Sequence, residues 1–378
     1  MMQEGLVLRT TGSWYRVLAE THSIDCRLRG NYRLRGNKQT NPVAVGDRVR
    51  FELQDDGTGV IHEVKDRTNY IVRRATKLSK QTHVIAANID LLCIVATLGL
   101  PRTSTGFIDR LLVTAEAYHI PAAILFNKCD LLDSCSPEAG ELSHDPLSPS
   151  SCSPEAGELS RGPLSPSSCS PEAGELSEGL RGMQHKLSSL YRSIGYPVLE
   201  VSALRGDGLD EVKRLIAGKT VLFSGHSGVG KSALLNALCP GLDLRTGDLS
   251  DWSLKGKHTT TFAEIHPIRV MGYGLEVMDA CAVQPRQPSI THNPSPITYL
   301  IDTPGIKEFG MVDFNAQELS HFFPEMRAVL HDCRFANCTH SHEPGCAVMA
   351  AVEDGRIPEE RYRNYLNILE DINNPQNL

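Results

Sequence analysis

Gly225-His226-Ser227-Gly228-Val229-Gly230-Lys231-Ser232 is a GxxxxGKS, and its surroundings decide the fold. The apolar stretch Thr220-Val221-Leu222-Phe223 before it suits a buried strand, and Ala233-Leu234-Leu235-Asn236-Ala237-Leu238 after it opens a helix. Strand, glycine-rich turn and helix together make a phosphate-binding loop. Glycines let successive N–H groups turn toward phosphate oxygens, and the helix N-terminus adds its positive end. On this reading Lys231 reaches the β- and γ-phosphates and the Ser232 hydroxyl binds magnesium. The plain alternative, a glycine-rich turn with no ligand, does not explain why strand, loop and helix occur in sequence.

Upstream lies Asn127-Lys128-Cys129-Asp130, an NKxD directly after the apolar run Pro121-Ala122-Ala123-Ile124-Leu125-Phe126. By itself the tetrapeptide is as compatible with a surface turn. At the end of a buried parallel strand it sits where ligand loops of open α/β sheets lie. Asp130 can accept from both the ring N1–H and the exocyclic amine of guanine, so the nucleotide is GTP rather than ATP. Asn127 helps hold the base edge, and the Lys128 stem can cover the purine face.

Three further pieces extend the set. Pro296-Ile297-Thr298-Tyr299-Leu300-Ile301 leads into Asp302-Thr303-Pro304-Gly305, a DxxG in which Asp302 holds the magnesium shell and the Gly305 N–H senses the γ-phosphate. Gly256-Lys257-His258-Thr259-Thr260-Thr261 lies between the phosphate loop and DxxG. One of its threonines completes the magnesium shell; Thr260 is favoured, with Thr259 and Thr261 left open. Val198-Leu199-Glu200-Val201 runs into Ser202-Ala203-Leu204, which fits a loop supporting the guanine ring. The order is base loop, SAL, phosphate loop, threonines, DxxG. Rotating that list restores the ordinary GTPase order, so the expected fold is a circularly permuted P-loop α/β domain over residues 75–322, joined through old termini close at the surface.

Cys333-x4-Cys338-x-His340-x5-Cys346 follows. Three thiolates and one imidazole in this short span suit a closed, structural zinc site; His342 is the alternative imidazole, and buried free cysteines are the plain reading. Metal would hold together a segment too small for its own core. Residues 323–378 are expected to form this zinc-binding, mainly helical domain, with residues 358–369 as a docking helix.

Residues 1–74 alternate apolar and polar over short stretches, as in Arg48-Val49-Arg50-Phe51-Glu52-Leu53, between turn signals. About five strands in that length suggest an OB-fold barrel. This part carries 13 Lys+Arg against 9 Asp+Glu. Arg27, Arg29, Arg33, Arg35 and Lys38, with Tyr32 among them, suit a phosphate backbone with base stacking, although a basic run is often only a solvated face.

The overall charge of −7 argues against nucleic acid until it is mapped. Residues 134–182 hold 8 acidic and 2 basic side chains, so most of the acidity is one insert. Ser134-Cys135-Ser136-Pro137-Glu138-Ala139-Gly140-Glu141-Leu142-Ser143 recurs at Ser151 and Ser168. Rich in Pro, Ser, Gly and Glu, the insert is expected to stay disordered within the GTPase domain. Residues 283–295 are a second, Pro-rich insert. The 11 cysteines divide between repeats, metal cluster and scattered sites, which does not suit a secreted disulfide framework. Without a signal peptide or a run of about 18 apolar residues, a soluble, cytoplasmic chain is expected, with no membrane partner and most simply a monomer.

Basic barrel, NKCD, SAL, GHSGVGKS, GKHTTT and DTPG in this order, and the cysteine cluster running into Glu343-Pro344-Gly345-Cys346-Ala347-Val348, resemble the bacterial small-ribosomal-subunit-dependent GTPase A family. The resemblance covers nearly the whole chain outside the two inserts. It implies GTP hydrolysis to GDP stimulated by the small subunit, binding to its ribosomal RNA late in assembly, and one zinc ion on Cys333, Cys338, His340 and Cys346.

Many GTPases place a water-orienting glutamine directly after DxxG; here that position is Ile306, which neither donates nor accepts. Slow intrinsic hydrolysis is expected. His258 is then the candidate to orient water once the subunit orders its segment; simple packing or capping is the alternative role. Three other functions remain in view. A permuted GTPase of the large subunit lacks a reason to carry both barrel and cluster, an RNA-binding adaptor would release no phosphate, and a metalloenzyme would need an open metal position.

Overall fold

The computed structural model describes residues 2–20, 22–30, 42–74, 82–99, 101–133, 171–244, 263–271, 274–277, 296–302 and 315–374. Five strands, β1 (Met2–Thr11), β2 (Trp14–Ala19), β3 (His22–Leu28), β4 (Arg48–Leu53) and β5 (Gly59–Val64), close on themselves in the order β1-β2-β3-β5-β4-β1. Period-two alternation sends Tyr15, Val17, Ile24, Cys26, Val49 and Phe51 into one core, giving an OB-type barrel. Gly59 is required at the mouth of β5, because a Cβ there would lie 2.5 Å from Cys26 Sγ.

Residues 70–74 do not belong to the barrel, as their alternation had suggested. They form β6 (Tyr70–Arg74), paired with β7 (Thr82–Ala87) in a separate antiparallel ribbon. The chain leaves the barrel after Val64, and residues 70–74 find their partner in β7 rather than in a barrel strand. Arg67 ties the chain leaving the barrel to the fully buried Asp47, donating to its two oxygens at 2.7 and 2.8 Å.

The central domain contributes β8 (Leu91–Ala96), α1 (Thr105–Ala117), β9 (Ala122–Phe126), α2 (Asp130–Asp133), α3 (Pro171–Ile194), β10 (Val198–Glu200), α4 (Leu209–Ile216), β11 (Thr220–Ser224), α5 (Lys231–Leu238), β12 (Glu264–Met271), β13 (Gly274–Val277) and β14 (Ile297–Asp302). Their spatial order is β10-β9-β8-β11-β14-β12, parallel except for β12. Every residue of β8 and β9 is buried, because helices cover both faces. Leu92 and Ile94 pack with Ile108 of α1 and Leu187 of α3; Leu91, Cys93 and Val95 pack with Val212 of α4 and Leu234 of α5. At the far edge β12 meets β1 at Arg9 and Glu264, whose side chains pair at 3.8 Å, so the barrel continues the nucleotide-domain sheet.

Helix α3 begins at Pro171, inside the third repeat, which corrects the expectation that 134–182 is disordered throughout. Leu180, Met183 and Leu187 recur at helical spacing, and Met183 and Leu187 join the core, so packing overrides the composition of the repeat end. Residues 134–170 and 283–295 lie outside the described residues.

At the C-terminus, turns Leu319–Phe322 and Leu330–Asp332 alternate with α6 (Pro324–Arg327), α7 (Ala347–Glu353) and α8 (Glu359–Asn373). Their core includes Leu319, ahead of the expected boundary at 323, and borrows Val113 from α1. Helix α8, longer than the expected 358–369, lies on α1 through a buried polar knot. Arg361, 1% exposed, pairs with Asp109 of α1 and donates from Nε to Glu325 Oε1 at 2.7 Å. Asn364 Nδ2 and Tyr191 Oη donate to Asp109 at 2.6 and 2.9 Å. Burial pushes the Asp109 carboxyl up, opposed by the Arg361 cation and by the Asn364 and Tyr191 donors; burial disfavours the Arg361 cation too, and Asp109 and Glu325 keep it charged. Among the described residues no helix is long and apolar enough to cross a membrane.

Replacing Arg361 with Met leaves two buried carboxylates without their cation. Urea unfolding should show a loss of about 3–5 kcal/mol, partly recovered by adding Asp109→Asn.

Candidate nucleotide site and metal cluster

Strand β11 ends in the glycine-rich loop Gly225 to Gly230, and α5 begins at Lys231, the strand, loop and helix expected around a phosphate site. Gly230 has φ 86°, and a Cβ on it would stand 2.6 Å from Asn127 Nδ2. Only glycine therefore lets the phosphate loop press against the base loop. Lys231 Nζ donates to the carbonyls of Gly225 at 2.7 Å and His226 at 3.2 Å. Burial pushes its ammonium below the ordinary lysine value, opposed by the Asp302 carboxylate at the end of β14, which is in register with Phe223 of β11. Ser232 and Ala233 occupy the first turn of α5; Ser227 is exposed, whereas Gly228 is half-buried and Val229 buried.

The base loop follows β9, two strands away. Asn127 is 4% exposed and holds three loops together: its Nδ2 donates to Val229 O at 2.9 Å, and its Oδ1 accepts from Ala203 N at 3.2 Å. Ser202 Oγ donates to Asp130 Oδ1 at 2.6 Å and fixes that carboxylate. Lys128 has φ 65°, a strained value maintained by its anchored neighbours. Cys129 Sγ donates to Phe126 O at 3.1 Å and accepts from Gln184 Nε2 of α3 at 3.2 Å. Leu204 is 84% exposed. Asn127, Asp130, Ser202, Ala203 and the phosphate loop are thus brought into one place; His258, Thr259, Thr260, Thr261, Gly305 and Ile306 lie outside the described residues.

The metal-ligating atoms of Cys333, Cys338, His340 and Cys346 all lie within 4.8 Å of one another. His340 Nδ1 faces the group, 3.6 Å from Cys333 Sγ and 3.4 Å from Cys346 Sγ. His342 is exposed and outside the cluster, its Nδ1 2.8 Å from Ser341 Oγ, so the imidazole gathered with the three thiols is that of His340. Four soft or borderline ligands in a compact group fit a tetrahedral metal with no open position. The surrounding loop is set for it: the Glu343 carboxylate accepts from Thr339 N at 2.6 Å and Ser341 N at 3.1 Å. Burial raises its pKa, but the Thr339 hydroxyl and the N–H groups of Thr339, Glu343 and His342 hold it well below the usual carboxylate range. Tyr362 and Tyr365 hydroxyls of α8 donate to His340 O and Thr339 O at 2.7 Å each.

On the barrel, the Arg27 guanidinium lies 3.9 Å over the Trp14 ring, and Arg29 Nη1 is 3.3 Å from His62 Nδ1. Tyr32, Arg33, Arg35 and Lys38 lie outside the described residues. Sequence reasoning missed Gln184, Phe107 and the Asp109 knot. The one signal for Asp109 was an acidic residue among Ile108, Leu111, Leu112 and Val113.

Phosphate loop, base loop and the DxxG aspartate occupy the carboxyl ends of one parallel sheet in a rotated chain order, which defines a circularly permuted GTPase. Models of the RsgA N-terminal domain and the RsgA GTPase match residues 4–61 and residues 64–145 with 176–280; the unmatched 146–175 fall in the repeats. The chain belongs to the RsgA GTPase family. It is 42% identical to the small ribosomal subunit biogenesis GTPase RsgA of Bacteroides fragilis (strain YCH46), covering 97% of this chain and 96% of that one. With the protein of the same description from Porphyromonas gingivalis (strain ATCC 33277) it shares 41% over 98% and 97%. Among solved structures, YjeQ from Thermotoga maritima superposes with TM-score 0.66 at 29% identity over 99% of each chain. YloQ, a circularly permuted GTPase, superposes with TM-score 0.61 at 26% identity, over 99% of this chain and 96% of its own.

Changing Cys346 to Ser should strip the purified protein of bound metal, about one ion in the parent chain, as read by elemental analysis, and open residues 315–374 to limited proteolysis.

Proposed function

We propose that this chain binds the small ribosomal subunit and its ribosomal RNA and acts late in that subunit's maturation, hydrolysing GTP to GDP and phosphate with stimulation by the subunit. The observation that carries this reading is the joint one: relatives described as small ribosomal subunit biogenesis GTPases align along nearly the full chain, and Asn127 locks the base and phosphate loops together here. The protein acts in the cytoplasm as a monomer.

In this reading Asp130, oriented by Ser202, accepts the two guanine donors, while Asn127, Lys128, Cys129, Ala203 and Leu204 shape the base pocket. Residues Gly225, His226, Ser227, Gly228, Val229, Gly230, Lys231, Ser232 and Ala233 cradle the phosphates, and the Gly305 N–H meets the γ-phosphate. Ser232, Thr260 and Asp302 would hold magnesium, which neutralises phosphate charge. Zinc on Cys333, Cys338, His340 and Cys346 supplies folding free energy rather than chemistry, since four protein ligands fill a tetrahedral site. Arg27 and Arg29 of the barrel take part in the RNA contact.

Lys231 and Thr260 stabilise developing charge on the transferring group. His258 is the residue assigned to orienting the attacking water, because Ile306 offers no polar atom.

GTP turnover measured alone, with small subunits and with large subunits tests the reading. Small subunits should accelerate phosphate release strongly; acceleration by large subunits only, or none by either, overturns it. His258→Ala should cost at least ~100-fold in subunit-stimulated kcat while GDP affinity stays unchanged. Intact stimulated turnover in that variant removes His258 from the mechanism.

A further inference from the structure

The phosphate loop is gripped from outside by a residue that belongs to none of the nucleotide motifs. The His226 ring lies against Phe107 of α1, with centroids 3.6 Å apart and planes 27° from parallel. Phe107 is itself tightly placed. It is the third residue of α1, its backbone N–H donates to the Ser104 cap at 3.2 Å, and its side chain packs against the main core. The loop before the cap is braced too, with Thr97 N donating to Thr103 Oγ1 at 3.1 Å and Thr103 N to Thr97 O at 2.8 Å.

We infer that Phe107 is a positioning residue for the phosphate loop: its ring fixes His226, and with it the carbonyls that receive the Lys231 ammonium. His226 O accepts from Lys231 at 3.2 Å and Gly225 O, one residue earlier, at 2.7 Å, so a swing of His226 moves the cradle of the cation that meets the phosphates. Burial and the neighbouring Lys231 both lower the His226 pKa, so the stack is between two uncharged rings near neutral pH. The rest of α1 is held by the C-terminal module, through Asp109 with Arg361 and Asn364, and through Arg110 with Asp371. The same rigid helix therefore carries the loop support at one end of its first turns and the metal-domain anchor immediately beside it.

This inference rests on the nucleotide reading above, and a GDP titration separates the two. If the parent chain fails to bind GDP, the nucleotide reading itself fails; if it binds, the variants decide about Phe107. Phe107→Leu keeps an apolar side chain and removes the ring, with Phe107→Met as a substitute should leucine disturb folding. The Kd for GDP, measured without ribosomal subunits, should rise about 3- to 10-fold, the size expected for loss of one aromatic contact, and Phe107→Tyr should restore it. His226→Ala should weaken binding too, and the Phe107→Leu, His226→Ala pair should bind no worse than the weaker single variant. A purely structural role predicts a lowered thermal midpoint with unchanged GDP affinity, or effects of the two changes that multiply. Either result overturns the inference.

Discussion

The buried pair of Asp109 and Arg361 is the constraint on which the arrangement of this molecule depends. A guanidinium that is 1% exposed cannot be left without anions, and here it meets Asp109 from the nucleotide domain and Glu325 from the C-terminal module. Pulling the two parts away from each other would break this pairing and expose the apolar surface packed around it. The aromatic face of Phe323, 4.6 Å from the same guanidinium, closes the site further. The C-terminal module, with a small core that takes in Val113 of α1, is thereby docked in one orientation rather than tethered. The structure attaches the module that carries the three cysteines and His340 to the helix that begins beside the phosphate loop, so both adjoin one rigid element.

Permutation matters little to the nucleotide site, because that site is built from strand ends and not from chain order. The central strands β8, β11 and β14 are neighbours, and their carboxyl ends bring the loops together whatever sequence connects them. What permutation changes is the neighbourhood. Base-loop and SAL strands come first, β14 comes last, and the C-terminal module follows the DxxG segment along the chain. At the opposite edge β12 carries the sheet into the barrel through Arg9 and Glu264.

The cluster of three cysteines and His340 works by a different economy of forces. Its loop has few apolar side chains, and order comes from local polar bonds: Glu343 gathers the N–H groups of Thr339, Ser341 and His342, while two tyrosines of α8 cap the carbonyls of Thr339 and His340. A metal ion would add the cross-link that so small a core cannot supply.

The amino-acid order by itself determined the elements whose chemistry is local. A phosphate loop needs glycines, a lysine and a hydroxyl at fixed spacing, a guanine loop needs its carboxylate after a buried strand, and a closed metal site needs four ligands within a short span; these patterns could be read as expectations, and the structure places the first two at the ends of strands in one sheet and gathers Cys333, Cys338, His340 and Cys346. Alternation also revealed the barrel, though it assigned residues 70–74 to it because periodicity cannot show that a barrel has already closed. Composition likewise hid the start of α3, since the repeat end becomes helical only where Met183 and Leu187 find a core. Tertiary structure alone decided the contacts between distant segments: Asn127 on Val229, Phe107 on His226, and Asp109 on Arg361. Each joins groups far apart in sequence, where no local pattern says which partner a residue will meet, and their energies arise from burial that exists only once the chain has folded.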